Sequence, residues 1–133
     1  MSKHTVLVAA ANDLSRRLTV EALELYGHVV LAVAALDEAA DILRSGRKVG
    51  ALVVDLDHGA TPDLDGLGLA RLAREIDRRT AVVYTARRPQ GVPEHLKVRG
   101  APTLRTPFWP HQLTSVLSEL RADRSAGLVE RAA

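Results

Sequence analysis

The sequence contains no cysteine, which removes disulfide frameworks, thiolate zinc sites, iron–sulfur clusters and cysteine nucleophiles together and leaves the fold to stand on packing. Aromatic residues are scarce, at 3%. Neither sign of charge dominates: 18 Lys and Arg stand against 16 Asp and Glu, a net +2 spread along the chain, with no concentrated polycation of the kind that grips nucleic acid. Nucleic acid is therefore not an expected partner. The first apolar run, in MSKHTVLVAAANDL, is too short for a membrane span and is interrupted at Asn12 and Asp13 before a signal-peptide cleavage pattern develops. A cytoplasmic protein with no membrane partner is expected. What is present, 47% apolar and 26% charged residues over 133 positions, is the composition of one ordinary globular domain with a real core.

Short all-apolar runs fit strands buried on both faces of a parallel sheet. Residues 6–9 and 51–54 are such runs, the second stopping at Asp55; 28–33 is β-branched and apolar after His28, 81–85 reads as a fourth strand, and 101–105 is a weak fifth before Pro107. Helical spacing recurs between them. Asn12 or Asp13 can N-cap a helix whose Leu14, Leu18, Ala22 and Leu25 fall on one stripe, the face an amphipathic helix turns to its core, and Gly27 ends it. Residues 36–45 and 67–76 form the next two helices, 93–99 a short and poorly patterned fourth, and a last helix beginning near Pro110 buries Leu113, Val116, Leu117 and Leu120. The domain is placed at 1–124, and 125–133, with little periodicity, is read as a flexible C-terminal tail. The alternation predicts an α/β fold: a single doubly wound, flavodoxin-like domain, its five-stranded parallel sheet in the order 2-1-3-4-5 and flanked by five helices. In such a sheet ligands and chemistry gather at the carboxyl ends of the strands, near the switch point between strands 1 and 3.

Strand 1 ends in Ala10 and Ala11, strand 3 in Asp55, strand 4 in Thr85, and strand 5 in Arg105 and Thr106 before Pro107. With VLVAAANDLSRRLTVEALELYG, ALVVDLDHGATPDLDGLGLARLARE, AVVYTA and GAPTLRTPFWPHQL in that order, the chain resembles the response regulator receiver domain (CheY-like) over residues 5–121. The resemblance implies an aspartyl phosphate at Asp55, received from a partner histidine kinase, with Thr85 as the hydroxyl residue that moves toward the phosphoryl group. It also implies Mg2+ held by that Asp and an acidic pair after strand 1, and a Lys before the Pro after strand 5.

Here the pattern breaks. The acidic pair falls on Ala10 and Ala11, the Lys position is Thr106, the aromatic switch position falls near Thr103, and the loop between Asp55 and Pro62 is three residues longer than usual. Mg2+ needs near-octahedral oxygen coordination, so Asp55 with Asp57 alone makes a poor site. Losing a cation beside a phosphoryl group forfeits up to about 4 kcal/mol at about 4 Å with an effective dielectric near 20. Three clustered carboxylates would need that cation, whereas a lone Asp55 does not. The sequence is therefore read as a stand-alone, degenerate pseudo-receiver of two-component phosphorelay signalling, not an enzyme, that acts by protein–protein interaction with no metal and no cofactor. The alternative is a working phosphoacceptor, phosphorylated on Asp55 by a histidine kinase and dependent on Mg2+.

Asp55 is the candidate phosphoacceptor, Thr85 and Thr106 are candidate phosphoryl contacts, and a strand-end carboxylate hydrogen-bonded to Thr85, Thr106 or loop amides is the plainer account of Asp55 and Thr85. Arg87, Arg88, Lys97, Arg99 and Arg105, with Trp109, form a candidate interface on the helix 4, strand 5, helix 5 surface, through which receivers commonly meet partners. The expected partner is a histidine kinase, another response regulator, or a second copy in a homodimer. An EF-hand loop from Asp55 fails at Ala60 and Gly66, Gly66-Leu67-Gly68 lacks the third Gly of a dinucleotide fingerprint, and His4, His28, His58 and His95 show no ligand spacing. A small-molecule sensor using the vacated pocket is a third possibility.

Overall fold

β1 (Thr5–Ala9) turns Val6 and Val8 to one face of the sheet and Leu7 and Ala9 to the other, as the period of two in a strand requires, and all four are buried. β3 (Ala51–Asp55) and β4 (Ala81–Ala86) are buried along their whole length, which is why they read as continuous apolar runs. With β2 (Val29–Val33) and β5 (Thr103–Arg105) at the edges, the sheet is parallel throughout and ordered β2-β1-β3-β4-β5. α1 (Asp13–Leu25) and α4 (Pro110–Ala132) cover the Val6 and Val8 face through Leu23, Leu113 and Leu117. α2 (Leu36–Arg44) and α3 (Gly66–Ile76) cover the other through Leu36, Leu43 and Leu69. The computed structural model describes residues 5–132, with side chains described as far as Arg121; His4 and Ala133 lie outside the described residues.

The expected order and parallel pairing are found, with two departures in the helices. The fifth predicted helix is α4; it buries Leu113 and Leu117, packs Val116 and Leu120 against the core, and continues through residues 125–132, which the sequence reads as a tail. The fourth predicted helix does not form. Between β4 and β5 stand only two single 3-10 turns, Pro89–Gly91 and Glu94–Leu96, and neither buries a residue. A helix of so few residues carries the full nucleation cost with no apolar face to bury in return.

Side-chain donors and acceptors hold this crossover instead. The Arg71 guanidinium donates to the Leu96 carbonyl at 3.2 Å and that of Arg74 to the Arg99 carbonyl at 2.8 Å. The Val98 N–H donates to the hydroxyl of fully buried Tyr84 at 3.0 Å, and the Lys97 ammonium lies 5.8 Å from the Tyr84 ring centre. Tyr84→Phe is expected to cost about 1 kcal/mol in chemical denaturation, the typical worth of one such hydrogen bond, and to speed amide exchange at Val98 first.

Candidate functional site

Register brings the functional positions together before any side chain is considered. Asp55 and Thr85 are paired residues of β3 and β4, and Ala86 and Arg105 of β4 and β5, so the carboxyl ends of the strands form one corner. The Thr106 N–H donates to the Ala86 carbonyl at 3.0 Å, and the Thr106–Pro107 peptide is cis. Ala10, Asp55, Thr85 and Thr106 all line one groove. Ala11 lies on the side of the β3–α3 loop, where a Cβ added to Gly59 would meet its methyl at 3.3 Å.

Asp55 is 6% exposed. Its Oδ1 accepts two long hydrogen bonds, from the Asp57 N–H at 3.3 Å and the Thr85 hydroxyl at 3.4 Å; Oδ2 has no hydrogen-bond partner among the described residues. Burial pushes the carboxyl above its ordinary value, a rise that the Asp57 N–H opposes and the Asp57 charge reinforces. A folded-state value raised above the unfolded one gives the folded chain its larger proton affinity, so the associated stability is complete at acid pH and is lost as pH rises through the raised value. Asp55→Asn does not titrate there. Its stability relative to the parent is expected to climb between the ordinary carboxylate range and the raised value and to stay higher at neutral pH, as read by urea denaturation along a pH series.

The other polar groups of the corner are committed elsewhere. Asp57 Oδ2 accepts from the Arg87 N–H at 3.0 Å and faces its Nε at 3.6 Å. Asn12 caps α1 by accepting from the Ser15 N–H at 2.9 Å. Arg16 donates to the Ala10 carbonyl at 2.9 Å and the Ala11 carbonyl at 3.4 Å, and pairs with Asp13 at 2.6 Å. A guanidinium thus sits on the two residues where the resemblance expects a carboxylate pair. Among the described residues no group of three acidic, His or Cys side chains could hold a metal ion. A buried carboxylate and a second one paired to Arg87, with the Ala10 and Ala11 carbonyl oxygens taken by Arg16, do not fit an octahedral Mg2+ site.

The long loop after β3 closes on its own contacts. Thr61 and Leu64 bond each other and Asp65 caps α3 through the Gly68 N–H at 2.7 Å. A Cβ on Gly66 would come within 2.7 Å of Leu56 Cδ2 and 3.1 Å of Val54 Cγ2, which accounts for the glycine of the PDLDG turn by packing.

Of the candidate interface residues, Arg87, Arg88, Arg99 and Arg105 are exposed and Trp109 is 70% exposed. Lys97 differs: its side chain is 7% exposed, against the Tyr84 ring and 3.0 Å from Glu94, so it serves the crossover. The helix 4 part of that surface is an irregular strap. A feature that the sequence reading missed lies on α1, whose buried residues are Thr19, Ala22 and Leu23. Leu14, Leu18 and Leu25, assigned to the core by their spacing, are exposed. The Leu14–Leu18–Ala22–Leu25 stripe was the available signal; it forms the wall of a groove whose other side carries Phe108 and Trp109.

Comparison with solved structures finds the same architecture repeatedly. A response regulator receiver protein from Sinorhizobium medicae superposes with a TM-score of 0.85 at 28% identity, covering 92% of this chain and 98% of that one. The N-terminal domain of a response regulator/sensory box/GGDEF 3-domain protein from Carboxydothermus hydrogenoformans gives 0.81 at 16% identity, covering 93% and 98%. A CheY-like receiver domain protein from Methanospirillum hungatei gives 0.78 at 16% identity, covering 95% and 99%. No protein-family model and no curated protein matches the sequence.

Proposed function

This chain has the CheY-like receiver fold of response regulators, and from that premise we propose that it works in two-component signalling as a degenerate receiver. It meets a protein partner without Mg2+-dependent phosphorylation as its switch. The observation that carries this reading is the Arg16 guanidinium on the Ala10 and Ala11 carbonyls. Phosphoryl transfer depends on metal and cation stabilising the charge of the transferred group. Here the acidic pair is two methyl groups, the Lys position is Thr106, and the Ala10 and Ala11 carbonyl oxygens are already taken by Arg16. The partner in this reading is a kinase or another regulator, and the exposed Arg87, Arg88, Arg99 and Arg105 with Trp109 offer it a basic rim with one aromatic anchor.

A second reading is favoured by one observation, the unpartnered Oδ2 of Asp55 with Thr85 beside it in register: this is an arrangement in which a phosphoacceptor could still react. Incubation with acetyl phosphate or beryllofluoride and Mg2+, followed by intact mass and by amide shifts around Asp55, separates the two. No stoichiometric adduct is expected. A metal-dependent adduct at Asp55 would replace the first reading with the second.

A further inference from the structure

The groove between α1 and the β5–α4 connection has a volume of about 710 Å3, within the range of small-molecule sites. Its walls are apolar: Leu14, Leu18 and Leu25 on one side, Phe108 and Trp109 on the other. Leu18 is 52% exposed and Trp109 70%, although each has an apolar surface that a bound molecule would cover. At the strand-end corner of this groove lies one buried carboxylate, Asp55, whose Oδ2 has no hydrogen-bond partner among the described residues. Among the described residues the buried side-chain polar atom without a partner is Thr103 Oγ1, so Asp55 Oδ2 is open to the groove and free to accept from a donor that enters it. The remaining charged groups lining the groove are Glu21 and Arg87, and Arg87 is already turned to Asp57 at 3.6 Å. The free charge facing the groove is therefore negative.

We propose that this groove binds a small amphipathic organic cation, its apolar body lying between the α1 leucines and Trp109 and its ammonium head donating to Asp55 Oδ2. Thr85 and Thr106 also line the groove, and a threonine hydroxyl can accept from the remaining N–H groups of such a head. An apolar molecule alone would leave Asp55 unpaired, and an anion would face it across the groove. The inference stands on the groove and its carboxylate and is independent of the partner-binding reading, since a chain able to take up phosphate would still have both in its unphosphorylated form.

The chain contains one tryptophan, so Trp109 emission reports directly on occupancy. Octylammonium, octanol and octanoate share one apolar body and differ in the head. A saturable blue shift is expected with octylammonium, with octanol about tenfold weaker or more and octanoate weaker still, as a charge-assisted hydrogen bond requires. Asp55→Asn should reduce octylammonium to the affinity of octanol, while Leu18→Ser, at an exposed position that leaves the fold intact, should weaken both by a similar factor. Equal binding of all three probes, an amine preference that survives in Asp55→Asn, or no saturable shift at all would each overturn the proposal.

Discussion

The triple variant Ala10→Asp, Ala11→Asp, Thr106→Lys is expected to become responsive to Mg2+ where the parent is not. Its thermal midpoint should rise with added Mg2+, and acetyl phosphate should label Asp55 at a rate higher by about two to three powers of ten. The upper figure follows from a Lys–phosphoryl attraction of about 4 kcal/mol at about 4 Å with an effective dielectric near 20; water already occupying that place in the parent lowers it. Without metal the variant should be the less stable protein, because three carboxylates then share one corner with one introduced lysine to offset them, and Arg16 is already engaged by the Ala10 and Ala11 carbonyls and by Asp13. The measurements are a melting series with and without Mg2+ and a mass time course. A variant indifferent to Mg2+ would place the defect elsewhere than in the missing groups.

Leu23→Ala and Leu18→Ala, five residues apart on α1, should differ by several kcal/mol. Leu23 is fully buried in the cluster formed by Val6, Val8, Val53, Leu113 and Leu117, and its truncation is expected to cost about 2 to 5 kcal/mol. That is a large fraction of a small domain's stability, which is about 5 to 15 kcal/mol. Leu18 lies open on the groove, and its truncation should change stability by about 0.5 kcal/mol or less. Urea denaturation of both variants checks the orientation of α1. Equal losses would mean that the leucine stripe is core and that the groove is closed.

That orientation marks the limit of what the sequence could supply. The three inner strands were legible because a strand buried on both faces has no polar alternation to hide it. The partly exposed edge strands β2 and β5 were read from short apolar and β-branched runs, and the parallel order followed from the interleaved helices. The face of α1 was not, because two stripes compete on it. One is Leu14, Leu18, Ala22 and Leu25; the other is Thr19, Ala22 and Leu23. Hydropathy favours the first. The second wins in the fold, and Thr19 is tolerated inside because its hydroxyl donates to the Ser15 carbonyl at 2.8 Å. The absent helix between β4 and β5 was similarly hidden, since Arg71, Arg74 and Tyr84 hold the strap through contacts that no periodicity records.

At the site, Asp55 and Thr85 were legible as residues ending adjacent strands, and Ala10, Ala11 and Thr106 as departures from a pattern. The role of Arg16 was not. A guanidinium reaching back six residues to a backbone carbonyl is a product of how α1 leaves β1, and nothing in the spacing of arginines announces it. Lys97 shows the converse: counted among exposed cations in the sequence, it is folded onto Tyr84.

A titration of the unmodified protein with Mg2+, followed through the backbone amides of Ala10, Ala11 and Asp55, tests the central claim most directly. Those resonances are expected to move only slightly and without saturation up to millimolar metal, as for weak screening of surface charge. A saturable shift at Asp55 together with displacement of Arg16 from the Ala10 carbonyl would contradict the account.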